Sequence, residues 1–229
     1  MKATPKTTRS VRATLEQMYG RRQQGPGGSG IEILVGTILS QNTSRANSTA
    51  GLARLTRRFG SFDAVADADT HAVAEAIRVS GLSNGKAPRI GAILRQVRRD
   101  AGRMDLSFLA DWPVEEARQY LLGFDGVGPK TASCVLLFAF DKPVFPVDTH
   151  IRRIAERLGW VRQGCSPERA EELLTPRIHE SDRHALHLLL VEHGRRTCGA
   201  RSPRCAGCDL LDRCPAGQSR RRQGLLEPA

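Results

Sequence analysis

The chain has 229 residues, 40% of them apolar, a net charge of +11 and a pI of about 10.1. That length allows one large domain or two small ones with a real core, and the composition excludes a disordered chain. No apolar run approaches the roughly 20 residues of a membrane span, and MKATPKTTRSVRATLEQM lacks the apolar stretch of a signal peptide, so a cytoplasmic (in a bacterium, nucleoid-associated) protein is expected.

Taken in chain order, nearly every segment reads as helix. Residues 11–22 form an amphipathic pattern, followed by the flexible break QQGPGGSG over 23–30. Residues 31–39 place Ile31, Leu34, Val35 and Ile38 on one helical face. Residues 45–59 and 70–79 continue the helical spacing, and 87–99 sets Ile90, Ile93, Leu94 and Val97 on one face. Pro113 suits the first turn of a helix over 114–122, where its missing N–H costs nothing, and Ser166 is an expected N-cap before Pro167. Two short β-like runs, 136–140 and 142–147, show neither alternation nor a hairpin signal. The expected fold class is all-α.

Charge and cysteine are concentrated near the C-terminus. Residues 195–222 hold eight arginines against two acids, so +6 of the +11 lies there, together with four of the six cysteines. Such a balance favours a polyanionic partner, nucleic acid foremost. Cys198, Cys205, Cys208 and Cys214 are spaced C-x6-C-x2-C-x5-C, and four thiols within seventeen residues point to a shared metal rather than disulfides. Thiolate chemistry alone leaves tetrahedral zinc and a [4Fe–4S] cluster both open. Cys134 reads as core and Cys165 as a loop thiol.

GFDGVGPKT, residues 123–131, crowds three glycines and a proline between two helical patterns. Glycine at 126 and 128 permits positive φ and a close backbone approach, and Pro129 fits the first position of a new helix. The N–H groups of such a turn, at the positive end of a helix, make a phosphate site; a plain turn between two helices is the simpler reading. By position alone Lys130 beside it reads first as a solvated lysine bridging to phosphate, and second as a nucleophile whose neutral form the helix start favours. Asp148, before Thr149, His150 and Ile151, is an N-cap by position, and SQNTS around Gln41 reads as a polar helix end.

Four segments in order carry a family resemblance. LLGFDGVGPKTASCVLLFAF is similar to the helix-hairpin-helix of the endonuclease III superfamily of DNA glycosylases, and FPVDTHIRRI to the segment bearing that family's essential aspartate. HGRRTCGARSPRCAGCDLLDRC resembles its iron–sulfur loop, and ILSQNTSRAN its early DNA-contacting segment. The resemblance implies a base excision repair enzyme that flips a damaged base from double-stranded DNA. Lys130 would be the catalytic nucleophile of a bifunctional glycosylase and lyase, Asp148 its catalytic carboxylate, and oxidised pyrimidines its substrates. Gln41 would fill the gap left by the base. Gly126, Val127, Gly128 and Thr131 would meet DNA at the hairpin, with His150 beside the pocket and Arg201 and Arg204 on phosphates. Cys198, Cys205, Cys208 and Cys214 would hold a [4Fe–4S] cluster of structural role.

It also implies two helical domains flanking a DNA-binding cleft, in a monomer. A helical barrel with the hairpin would span 31–141 and a cluster domain 142–217. Residues 1–30 would pack on the cluster domain, and 218–229 would be a basic disordered tail. Phe124-Asp125 stands where the family usually has Leu-Pro, Pro129 replaces a common basic or polar residue, and Ser83 an aromatic. These departures bear on substrate range. A thymine-mismatch glycosylase and a silent DNA-binding module are the alternatives; Lys130 and the chain end soon after Cys214 argue against an adenine-removing enzyme.

Overall fold

A computed structural model describes residues 2–22 and 27–226. Every regular element among them is helical, and the β-like run at 136–140 lies inside a helix while 142–147 is extended and unpaired. The chain divides into two compact units, Pro26–Lys142 and a second made of Met1–Gly25 with Pro143–Ala229.

The first unit holds α2 (Gly30–Ser40), α3 (Arg45–Phe59), α4 (Phe62–Asp67), α5 (Thr70–Ala76), α6 (Ser83–Ala101), α7 (Val114–Leu122) and α8 (Pro129–Phe140). Side-chain oxygens start most of them: Ser29, Ser44, Ser61 and Asp69 accept N–H groups of the first turns of α2 to α5, and Ser29 with Glu32 completes a capping box. Residues 27–30, grouped by sequence with the N-terminal helix, therefore belong to this unit, whereas Gln23–Pro26 of the expected linker lies outside the described residues. Apolar α2 runs through the middle, packed on α3 and α8, with Leu34, Val35, Ile38 and Leu39 fully buried. Each such side chain contributes about 1.5–3 kcal/mol on leaving water. Gly30 lets α2 close on α8, since an added Cβ would meet Phe140 at 2.7 Å and Leu106 at 2.9 Å.

The second unit holds α1 (Pro5–Tyr19), α9 (Thr149–Arg157), α10 (Pro167–Leu174), α11 (Arg183–Arg196) and α12 (Pro215–Arg222). The expected start of the first helix at residue 11 is six residues late, because Thr4 and Thr7 form a capping box and Pro5 takes the first position. Gly20, at φ 80, ends it. Val11 and Leu15 join α9 and α11 in one core with Phe145, Val147 and Trp160. Residues 218–222, expected as disordered tail, are the last turns of α12, which begins at Cys214 and Pro215 and is tied by Arg221 to Asp212.

Asp182 fastens α1 to the start of α11. Its carboxylate is 2% exposed and accepts from Arg9 Nε at 3.2 Å, with Arg12 Nε at 3.4 Å. Asp182→Ala is expected to destabilise the second unit by about 2 kcal/mol, read as a lower urea midpoint at unchanged slope.

Candidate functional site

In the first unit, α7 and α8 are antiparallel neighbours joined by the glycine turn. Gly126 takes φ 72, a conformation that glycine adopts without strain. Gly128 does not share it; at φ −88 and ψ 178 it is the extended N-cap of α8. With no side chain at that cap and Pro129 at the first position, the first-turn N–H groups of α8 have no capping side chain, an arrangement that suits an anion. Val127 and Thr131 are both 4% exposed, and the Val127 N–H donates to the Phe124 carbonyl at 3.1 Å, so at this turn their side chains are buried.

Lys130 stands in the first turn of α8, partly exposed and without a hydrogen bond or ion pair among the described residues. Asp125, the departure at the hairpin entrance, points to solvent and pairs with Arg89 Nε at 3.5 Å. The Arg89 guanidinium lies over the turn, since a Cβ on Gly126 would come within 2.3 Å of its Nε. Gln41, the C-cap of α2, reaches the same turn, its Nε2 donating to the Gly126 carbonyl at 3.2 Å.

In the second unit, Asp148 is the N-cap of α9, accepting the Ile151 N–H at 2.8 Å through one oxygen and keeping the other free to carry charge. His150 is committed locally: Arg153 Nη2 lies 3.1 Å from its Nδ1, and its ring covers Gly194, where an added Cβ would stand 2.6 Å from its Cβ. The far end of α9 carries the cysteine loop. Arg157 donates to Cys198 Sγ at 3.0 Å, to the Gly199 carbonyl at 2.7 Å and to the Ala200 carbonyl at 2.9 Å, and Arg153 to the Cys198 carbonyl at 2.9 Å. One helix thus presents Asp148 at its start and grips the loop at its end. Arg201 and Arg204 on that loop are exposed.

Cys198, Cys205, Cys208 and Cys214 line one cavity of about 240 Å³, floored by Ile154, Leu158 and Leu210. Burial and the neighbouring thiols push Cys208 up to about 11, and burial raises Cys205 and Cys214 as well. Among the described residues no three His, Cys, Asp or Glu side chains come close enough to hold a single metal ion. Four thiols lining one cavity, with no three of them together on a single ion, are compatible with a multi-iron cluster, whose four cysteines bind at separate corners.

Residues 35–179 match the model of the HhH-GPD superfamily base excision DNA repair proteins. The chain belongs to this superfamily. An Arabidopsis thaliana protein named as a putative DNA glycosylase is 39% identical over 165 residues, 72% of this chain and 56% of that protein. Endonuclease III of Sulfolobus acidocaldarius is 37% identical over 185 residues, 79% of each chain. A solved non-covalent endonuclease III–DNA complex superposes with a TM-score of 0.76 at 27% identity, covering 96% of this chain and 99% of that one. The chain therefore spans little more than half of the plant relative and most of the archaeal one.

Two features of this HhH-GPD chain escaped the sequence reading. Leu82, in GLSNGKA, is 64% exposed with φ 51, at the start of α6. It shares an open depression of about 520 Å³ with Gln41, Asn42 and Arg89. An exposed leucine held in left-handed backbone is costly, and only GL before a helix hints at it. Arg89 over the turn has no sequence signal at all. Gly126→Ala is accordingly expected to cost about 2–3 kcal/mol from strain at positive φ, more where Arg89 cannot move. The same change should weaken binding to duplex DNA severalfold, measured by fluorescence anisotropy against a thermal melt of the variant.

Proposed function

We propose that the protein is a base excision DNA glycosylase with abasic-site lyase activity, acting on oxidised pyrimidines in double-stranded DNA. The observation that carries the reading is Lys130, unpartnered in the first turn of α8 directly behind a turn that offers backbone N–H groups to phosphate. The hairpin would hold the backbone near the lesion, and the flipped base would leave the stack for a pocket. Lys130 Nζ then bonds to the sugar C1′ as the C1′–N bond to the base breaks. While the C1′–N bond breaks, the Asp148 carboxylate stabilises the positive charge that builds on the sugar. The base departs with the electron pair and takes a proton from water, and the amine gives up its own proton to Asp148. That proton passes to the ring oxygen O4′ as the C1′–O4′ bond opens, which restores the carboxylate and leaves a protonated Schiff base between Lys130 and C1′. Loss of a C2′ proton to water shifts electrons toward the imine and expels the 3′ phosphate, which cuts the strand. Lys130 and Asp148 belong to different units, so the reading requires both to reach one sugar on DNA.

Exposed Leu82 suits an apolar wedge in a base step, and Gln41 the gap that the base leaves. Cys198, Cys205, Cys208 and Cys214 would hold a [4Fe–4S] cluster, which supplies four iron–thiolate bonds and no chemical step. Its anchoring presents Arg201 and Arg204 to phosphates.

Borohydride reduction in the presence of duplex DNA tests the reading. A covalent adduct is expected with duplex carrying an oxidised pyrimidine as well as with an abasic site. An adduct with the abasic duplex alone would remove oxidised pyrimidines from the proposal, and none with either would remove the Schiff base.

A further inference from the structure

Lys86 is 2% exposed, and its ammonium donates to three backbone carbonyls: Leu39 at 2.9 Å, Gln41 at 2.8 Å and Ser80 at 2.9 Å. No carboxylate pairs with it among the described residues. A buried ammonium without a counter-charge is costly, so its partners must hold it by geometry. Leu39 lies in the last turn of α2 and Gln41 caps it, where helix carbonyls lack partners and the dipole end is negative. Ser80 closes the short 3-10 turn Arg78–Ser80, and its hydroxyl donates to the Asn47 carbonyl of α3 at 3.3 Å. Gly51 admits that hydroxyl, for a Cβ there would lie 1.9 Å from it. Two segments meet on one charge, and the second is tied to α3 as well.

What those segments carry gives the charge its purpose. Directly after the Gln41 carbonyl comes Asn42 at φ 54, and directly after Ser80 and Gly81 comes Leu82 at φ 51. Both strained residues border the same open depression. We propose that Lys86 is a positioning residue for base extrusion, its ammonium pinning at one point the two loops from which Gln41 and Leu82 enter the duplex. This rests on the reading that the protein flips a damaged base. A compact charge with three rotatable donors suits three converging carbonyls, which a planar guanidinium does not. Burial lowers the pKa of the ammonium, whereas hydrogen bonds from a charged group to carbonyls favour its charged form. Losing the ammonium unpairs three carbonyls and frees both loops, and a displacement of about 1 Å suffices to cost roughly 100-fold in rate.

The test compares Lys86→Met and Lys86→Gln with wild type in single turnover on two duplexes, one with an oxidised pyrimidine and one with a preformed abasic site. Lys86→Met is expected to slow base release roughly 10- to 100-fold while abasic cleavage changes by less than about threefold, and Lys86→Gln, which restores some donors, to fall between. In a Gln41→Ala background the Lys86→Met effect should shrink. Equal loss on both duplexes, or no loss on either, overturns the proposal; if Lys86→Met does not fold, an unchanged ratio in Lys86→Gln overturns it. A duplex with 2-aminopurine opposite the abasic site separates this from failure of the proposed activity. Wild type should change its fluorescence on binding even if no base is released, and Lys86→Met should lose that change; a retained change overturns the positioning role.

Discussion

Lys130→Ala is expected to form no borohydride adduct and to lose base release and strand cleavage by about 1,000-fold or more, because no other lysine stands at the hairpin to replace the nucleophile. Only five lysines are present in the whole chain. Lys86 is buried against carbonyls, and Lys142 donates to the carbonyls of Ala110 and Trp112. Binding to duplex DNA should survive in Lys130→Ala, since the proposed phosphate contacts are backbone N–H groups and arginines. Asp148→Asn is the matched experiment. The amide oxygen still accepts the Ile151 N–H, so α9 keeps its cap and the melting temperature should hold. Charge stabilisation at the sugar is lost, and a fall in the single-turnover rate of about 100- to 1,000-fold is expected. Full activity in Asp148→Asn would show that the carboxylate serves only the helix.

Replacing Cys208 by Ala, or stripping the proposed cluster with an oxidant and a chelator, is expected to abolish the cluster's visible absorption and to unfold the region around residues 198–214. A structural metal site contributes on the order of 10 kcal/mol to the segment it holds, comparable to the whole stability of a typical domain. Arg157 and Arg153 would still grip the Cys198 end of the loop, whereas the cavity wall formed by Cys205, Cys208 and Cys214 would lose its common anchor. DNA affinity should fall and become less salt-dependent, because the proposed phosphate contacts of Arg201 and Arg204 would be lost. Lys130 and its hairpin lie in the other unit, so residual abasic cleavage is the expected remainder. A colourless protein that melts and binds as before would remove the cluster from the proposal.

Much of this molecule was legible in sequence, and for a common reason. Asp148 and Ser166, expected as caps, accept N–H groups three residues on, so a short window contains both partners, and Ser29, Ser44, Ser61 and Asp69, not singled out from sequence, cap in the same local way. The all-helical class, the turn at Gly126 and the placement of Lys130 in a first turn follow from the same local chemistry. The cysteines also announce themselves by spacing, because one loop supplies all four. Tertiary structure decided what joins distant segments. Lys86 meets carbonyls 47 and 45 residues away, and nothing in SNGKA distinguishes a buried ammonium from a solvated one. Val127 and Thr131, which a motif assigns to the ligand, are buried because α7 and α8 close over them. Arg89 covers Gly126 from a helix that is remote in sequence, turning Asp125 from a lone carboxylate into half of an ion pair. Hydrogen bonds across three residues depend on residue type and order alone; burial and charge pairing depend on which helices pack together, and only the folded chain sets that.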